Sequence, residues 1–203
     1  MNKINYDLRP NKSSLARRKT IHGVGVNDAD YIVAQKIDGE LVTCPFYRKW
    51  TNMLRRCYSQ KIHVICPTYI GCTVVNEWLI FSVFKNWMER QDWENKELDK
   101  DLLVHGNKVY GPDTCLFVSR EINLLLTDSG AIRGKYPQGV CWAKHAGAFV
   151  AQIKKYGKKH YLGLFDTPEK ASETYQAAKQ EHVRDIALKQ TGILKTALLG
   201  RIK

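Results

Sequence analysis

The residues best placed to do chemistry lie in one short stretch, Leu98-Asp99-Lys100-Asp101. On a β-strand, Asp99 and Asp101 point to the same face. Two carboxylates on one face can hold a hard divalent cation such as Mg²⁺ or Mn²⁺, and such a cation can clamp a scissile phosphate. The same pair on an exposed strand can equally be two solvated carboxylates. Thiols are the other candidate chemistry, at Cys44, Cys57, Cys66, Cys72, Cys115 and Cys141. Cys57, Cys66, Cys72 and His63 are close in sequence, but a zinc knuckle needs two cysteines separated by two to four residues, and Cys66 and Cys72 are separated by five. The spacing therefore argues against a structural zinc and for reduced thiols in a core.

Cationic side chains are the most abundant chemical resource. The chain has 203 residues, 32 Lys+Arg against 20 Asp+Glu, and a formal net charge of +12. Residues 126–203 carry 14 of the basic and 6 of the acidic side chains, which is two thirds of the excess. Nucleic acid is the expected partner, because neutralising phosphates is the commonest use of such an excess. A solvated basic face and an anionic membrane surface are the alternatives, and no basic amphipathic helix with a Trp/Leu face supports the second. No apolar run is long enough to span a membrane, and Met1–Arg9 is not a secretory signal. The expectation is a cytoplasmic protein with no membrane partner.

These residues need elements to position them. Residues 1–45 read as a basic arm containing Arg17, Arg18 and Lys19, followed by a hairpin that turns at Asp38-Gly39. Phe46, Trp50, Met53, Leu54 and Cys57 recur at helical spacing, and the opposite face carries Arg48, Lys49, Arg55 and Arg56. A second helix is expected from Glu77 to Arg90, with Trp78, Phe81, Phe84, Trp87 and Met88 as a core stripe. Strands are expected at Leu98–Val104 and Thr114–Val118, then a helix from Arg120 with Ser119 as its cap. Residues 128–137 read as a linker. Three strands follow, near 139–142, 149–155 and 160–165, and then a helix opened by Asp166-Thr167-Pro168-Glu169. Residues 191–203 read as a basic tail. The fold class is α+β.

A helix packed on a three-stranded sheet leaves the other sheet face free. Alternation places Trp142, Lys144, Gln152 and Lys154 on that face, with Lys155, Lys158 and Lys159 at the turn. Such a face is suited to phosphates and base edges in a major groove. Gly139-Val140, Trp142, Phe149-Val150-Ala151-Gln152-Ile153, Tyr161-Leu162-Gly163-Leu164-Phe165, Thr167, Glu169, Ala171, Tyr175 and Ala178 resemble the APETALA-type DNA-binding domain of plant ethylene-response factors over about 136–187. The resemblance implies a three-stranded sheet whose face binds double-stranded DNA, with Trp142, Lys144, Gln152 and Lys154 as contacts. The family's sheet arginines are Lys and Gln here, and Lys lacks the planar fork that reads guanine.

Residues 46–126 carry a second resemblance. Trp50, Met53-Leu54, Arg56-Cys57, Tyr69, Gly71, Glu77-Trp78, Phe81, Phe84, Trp87, Leu98-Asp99-Lys100-Asp101, Tyr110, Pro112, Cys115 and Asn123 are similar to bacteriophage HNH homing endonucleases. That family grips one metal ion with a two-stranded hairpin and a helix. By position, Asp99 becomes a metal ligand, Lys100 stands where a catalytic His often stands, Thr114 replaces an Asn ligand, and Asn123 fills the last polar position. Lys is a poor general base at neutral pH, since its ordinary pKa is near ~10. Asp101 is then the substitute ligand and His105 the substitute base. The expected function is a metal-dependent DNA endonuclease in a bacterial host's cytoplasm, which would nick alone or cut both strands as a homodimer. The alternative is a DNA-binding protein without catalysis, a phage regulator or an inhibitor of host machinery on a degenerate HNH scaffold.

Overall fold

The computed structural model describes residues 4–127 and 134–202. The protein is mixed α+β and divides into two compact units, Met1–Val118 and Ser119–Lys203. Most of the linker expected over 128–137 lies outside the described residues, and the division between units comes earlier in the chain.

The N-terminal residues of the first unit are tied to it. Helix α1 (Lys12–Ala16) is capped by Asn11, whose Oδ1 accepts from the Ser14 amide at 2.7 Å. Ile4 is buried, and Gln35 exchanges hydrogen bonds with the backbone of Asn5 at 3.0 and 2.7 Å. Strands β1 (Ala34–Ile37) and β2 (Glu40–Thr43) form the expected hairpin. Asp38 and Gly39 both have positive φ, 51° and 85°, which a two-residue turn matched to strand twist requires.

Helix α2 (Pro45–Tyr58) buries the five residues its spacing singled out, Phe46, Trp50, Met53, Leu54 and Cys57. Helix α3 (Gln60–Ile65), a single 3-10 turn at Pro67–Tyr69 and strand β3 (Thr73–Val74) follow. The helix expected over Glu77–Arg90 is broken in two. A 3-10 turn at Asn76–Leu79 precedes α4 (Phe81–Met88), and Ile80 between them is extended. The cause is a distant strand-like contact: the Val26 amide donates to the Leu79 carbonyl at 2.8 Å, and the Phe81 amide donates to the Val26 carbonyl at 3.0 Å. The aromatic stripe still faces inward, with the Trp50 indole donating to the Trp78 carbonyl at 2.7 Å and Trp78 lying edge-on to Phe84 at 5.1 Å.

Strands β4 (Lys96–Asp99), β5 (Val109–Tyr110) and β6 (Leu116–Ser119) complete this unit. β3 runs parallel to β5, and β4 pairs with β6. Helix α5 (Arg120–Leu126) begins the second unit, and the Ser119 hydroxyl caps it as expected, accepting from the Ile122 amide at 3.3 Å.

The second unit is a three-stranded antiparallel sheet packed on one long helix. Strands β7 (Val140–Ala143), β8 (Ala148–Lys155) and β9 (Lys158–Phe165) lie in sequence order. Helix α6 (Pro168–Leu188) starts at Thr167, whose hydroxyl accepts from the Lys170 amide at 3.3 Å. It buries Ala171, Tyr175, His182, Val183, Ile186 and Ala187. The packing is close: a Cβ on Gly139, where φ is +79°, would lie 2.0 Å from the Tyr175 ring. The expected tail contains α7 (Gly192–Leu199), which packs against α6 and buries Leu198 completely.

Candidate nucleic-acid interface

Register decides which side chains share the open face of the sheet. The β7–β8 pairs are Val140↔Ala151, Cys141↔Val150, Trp142↔Phe149 and Ala143↔Ala148. Each joins an even position to an odd one, and directly opposed residues point to the same side. The odd residues of β8 face the helix: Ala151 and Ile153 are buried, and the Lys155 ammonium reaches Glu181 on α6 at 2.9 Å. Trp142 therefore lies on the helix side, where its ring meets Phe149 edge-on at 4.8 Å. This corrects its expected place beside Gln152 and Lys154. Simple alternation along each strand missed it because the phase between strands is set by pairing, which the sequence does not print.

The open face holds Cys141, Val150, Gln152 and Lys154, with Leu164, Tyr161 and Lys159 opposite them on β9. Gln152 lies across from Tyr161, and Lys154 lies across from Lys159. Between Tyr161 and Gly163 the register shifts, with Leu162 as the extra residue, so both Tyr161 and Leu164 reach this side. Tyr161 is 64 % exposed and is the open face's aromatic residue, a role the sequence reading gave to Trp142. Like charges directly opposite each other destabilise a sheet. Lys154 and Lys159 are so placed, and among the described residues neither has an acidic partner. Lys155 and Lys158 form the next opposed pair, with Lys155 neutralised by Glu181. Lys144 is exposed in the turn after β7.

The first unit places the Asp99 cluster differently from the sequence reading. β4 ends at Asp99, so Asp101 does not share a strand face with it. Instead Asp99 Oδ1 accepts from the amides of Asp101 at 2.9 Å and Leu102 at 2.7 Å, which turns the chain back. Burial, the largest influence, raises the Asp99 pKa above the ordinary carboxylate value. Lys100 is 5 % exposed, and its ammonium donates to Asp101 Oδ1 at 2.6 Å and to the Asn107 carbonyl at 2.7 Å. Asn107 in turn donates to the carbonyls of Lys100 and Val109, and the Thr114 hydroxyl donates to the Val109 carbonyl at 2.8 Å. Lys100, Asp101, Asn107 and Thr114 are thus joined in one network that pins loop 100–109.

His105 is exposed in that loop, and Asn123 lies on α5, in the other unit. Among the described residues no group of three or more His, Cys, Asp or Glu side chains is arranged to hold a metal ion. Cys57 and Cys115 are buried, and burial raises both thiols to about 12, which keeps them protonated at neutral pH.

The remaining cationic candidates fall into two kinds. Arg18 donates to the carbonyls of Asn27, Ala29 and Tyr31, at 2.8, 2.7 and 3.5 Å, and so locks the N-terminal segment. Arg17 donates to the Ser13 carbonyl, within its own turn. On α2, Arg55 is exposed, while the Arg56 guanidinium sits over the Tyr69 ring at 5.6 Å. No helix among the described residues is long and apolar enough to cross a membrane. No family model, curated protein or solved structure matches the chain.

Proposed function

We propose that the protein binds double-stranded DNA through the open face of its three-stranded sheet. The observation that carries this reading is the opposed pair Lys154↔Lys159 beside the exposed Tyr161. A sheet that needed only to fold would gain by placing an acidic residue in one of those positions. A polyanion removes the repulsion, and the flat face with Gln152 and Tyr161 offers base-edge and stacking contacts between the lysines. The excess of positive charge in residues 126–203 supports the same partner.

On this reading the first unit contributes scaffold and positioning. Lys100 and Thr114 have structural partners, and Asp99 caps a turn. The non-catalytic reading, a regulator or an inhibitor that acts by occupying DNA, fits these roles best. The endonuclease reading keeps one observation in its favour: β4, which ends at Asp99, pairs with β6, and helix α5 follows β6 along the chain, the strand–strand–helix order the HNH resemblance implies. A supercoiled plasmid incubated with Mg²⁺ or Mn²⁺ separates the two. The binding reading expects retarded but intact plasmid. Relaxed or linear product made by the wild type and not by Asp99→Ala would establish catalysis. Failure to retard duplex DNA at low salt would refute both.

A further inference from the structure

The first unit has a cleft of about 280 Å³ between α2 and β4, lined by Arg48, Lys49, Asn52, Met53, Arg56, Glu97 and Leu98. Arg48, Asn52 and Arg56 stand at i, i+4 and i+8 on α2 and so share one face of the helix. The one acidic side chain in the lining, Glu97, is already matched by the Lys49 ammonium at 3.2 Å, which also donates to the Lys96 carbonyl at 2.5 Å. With that pair cancelled, two guanidinium groups remain in excess.

Arg56 is set in place before any ligand arrives. Its guanidinium lies over the Tyr69 ring; burial works against its charge, but the Tyr110 and Tyr69 phenols and the Glu97 carboxylate outweigh that and raise its pKa. An arginine so held loses little freedom when it binds. Met53 and Leu98, the apolar part of the lining, are themselves buried. What the cleft offers is therefore donors: two planar forks with an amide between them. Donors of that kind match an oxyanion with several oxygens. The volume lies below the ~300–1,000 Å³ typical of drug-sized pockets, so a compact group fits better than a large organic molecule.

We propose that this cleft is a phosphate site, in which Arg48 and Arg56, with Asn52 between them, hold one backbone phosphodiester of the nucleic acid. The proposal rests on the nucleic-acid reading above and adds a second contact, independent of the sheet face. Leu98 directly precedes Asp99, so a phosphate held here lies at the edge of the Asp99 turn.

The test is an NMR titration of the full-length protein, following the arginine Nε–Hε signals and the Asn52 side-chain amide. The probes are inorganic phosphate, the dinucleotide dTpdT and acetate. The expected result is a saturable shift of Arg48, Arg56 and Asn52 with phosphate and dTpdT, with acetate at least tenfold weaker. Arg48→Gln, at an exposed position that leaves the fold intact, should weaken both phosphate probes tenfold or more. In duplex binding the same variant should lower the slope of log affinity against log salt by about one. No shift at these three groups, equal response to acetate, or unchanged binding by Arg48→Gln would overturn the site. Shifts with inorganic phosphate and dTpdT, but no duplex binding by the wild type, would leave an anion site and overturn the nucleic-acid reading. Duplex binding without these shifts would overturn the site alone.

Discussion

At the scale of single residues, the Asp99 turn and the Lys100 network separate a fold-building role from a chemical one. Asp99 Oδ1 receives two backbone amides, and an amide oxygen can do the same. Asp99→Asn should therefore keep the turn. Because burial raises the carboxyl's pKa, ionised Asp99 opposes folding, and that cost grows as the pH rises from about 4 through the folded value. At pH 7 Asp99→Asn should melt at or above the wild-type temperature. Asp99→Ala, which orphans both amides, should lose about 1–2 kcal/mol. A large loss in both variants would contradict the capping role. Lys100 is the second case. Removing its buried ammonium leaves the Asn107 carbonyl without that donor, so Lys100→Met should lower stability by about 1–2 kcal/mol, read by denaturant unfolding. The sequence made these residues conspicuous but could not assign their partners. Asp99 and Asp101 look like a strand pair until the strand is seen to end at Asp99.

At the scale of elements, legibility followed whether an element is determined by its own residues. Helix α2 was readable because its five buried residues repeat at helical spacing. The split between the turn at Asn76–Leu79 and α4 was not, because Val26, fifty residues away, takes the hydrogen bonds that break the helix. The sheet strands were readable, but the facing of Trp142 depended on register. Helix α7 was hidden because its burial comes from packing on another element, α6, and not from a pattern within its own residues. Two predictions belong here. Lys159→Glu replaces a like-charge cross-strand pair with an attractive one, so it should raise stability by on the order of 0.5 kcal/mol while weakening DNA binding. A variant that weakened both would point to a structural role for Lys159. His182, buried on α6, has its pKa lowered by burial first and by the Lys155 charge next. The folded protein then holds fewer protons than the unfolded chain, so stability should be full above about pH 6.5 and fall as the pH drops below it. Thermal melts at pH 5 and pH 7 check this, and His182→Phe should flatten the difference.

At the scale of the whole molecule, the net charge of +12 resolves into cations with different duties. Arg18 closes backbone carbonyls, Lys100 pins a loop, and Lys155 bridges a strand to a helix. Lys154 and Lys159 have no such employment among the described residues, and they flank the exposed Tyr161. On the proposed reading this face meets the phosphates of duplex DNA. The direct measurement is fluorescence anisotropy of a labelled 20-base-pair duplex across a salt series, comparing the wild type with the triple variant Lys154→Ala, Lys159→Ala and Tyr161→Ala. The triple variant should lose at least tenfold in affinity and show a log–log salt slope shallower by about two, one for each phosphate contact removed. A folded triple variant with unchanged affinity and unchanged slope would contradict that reading.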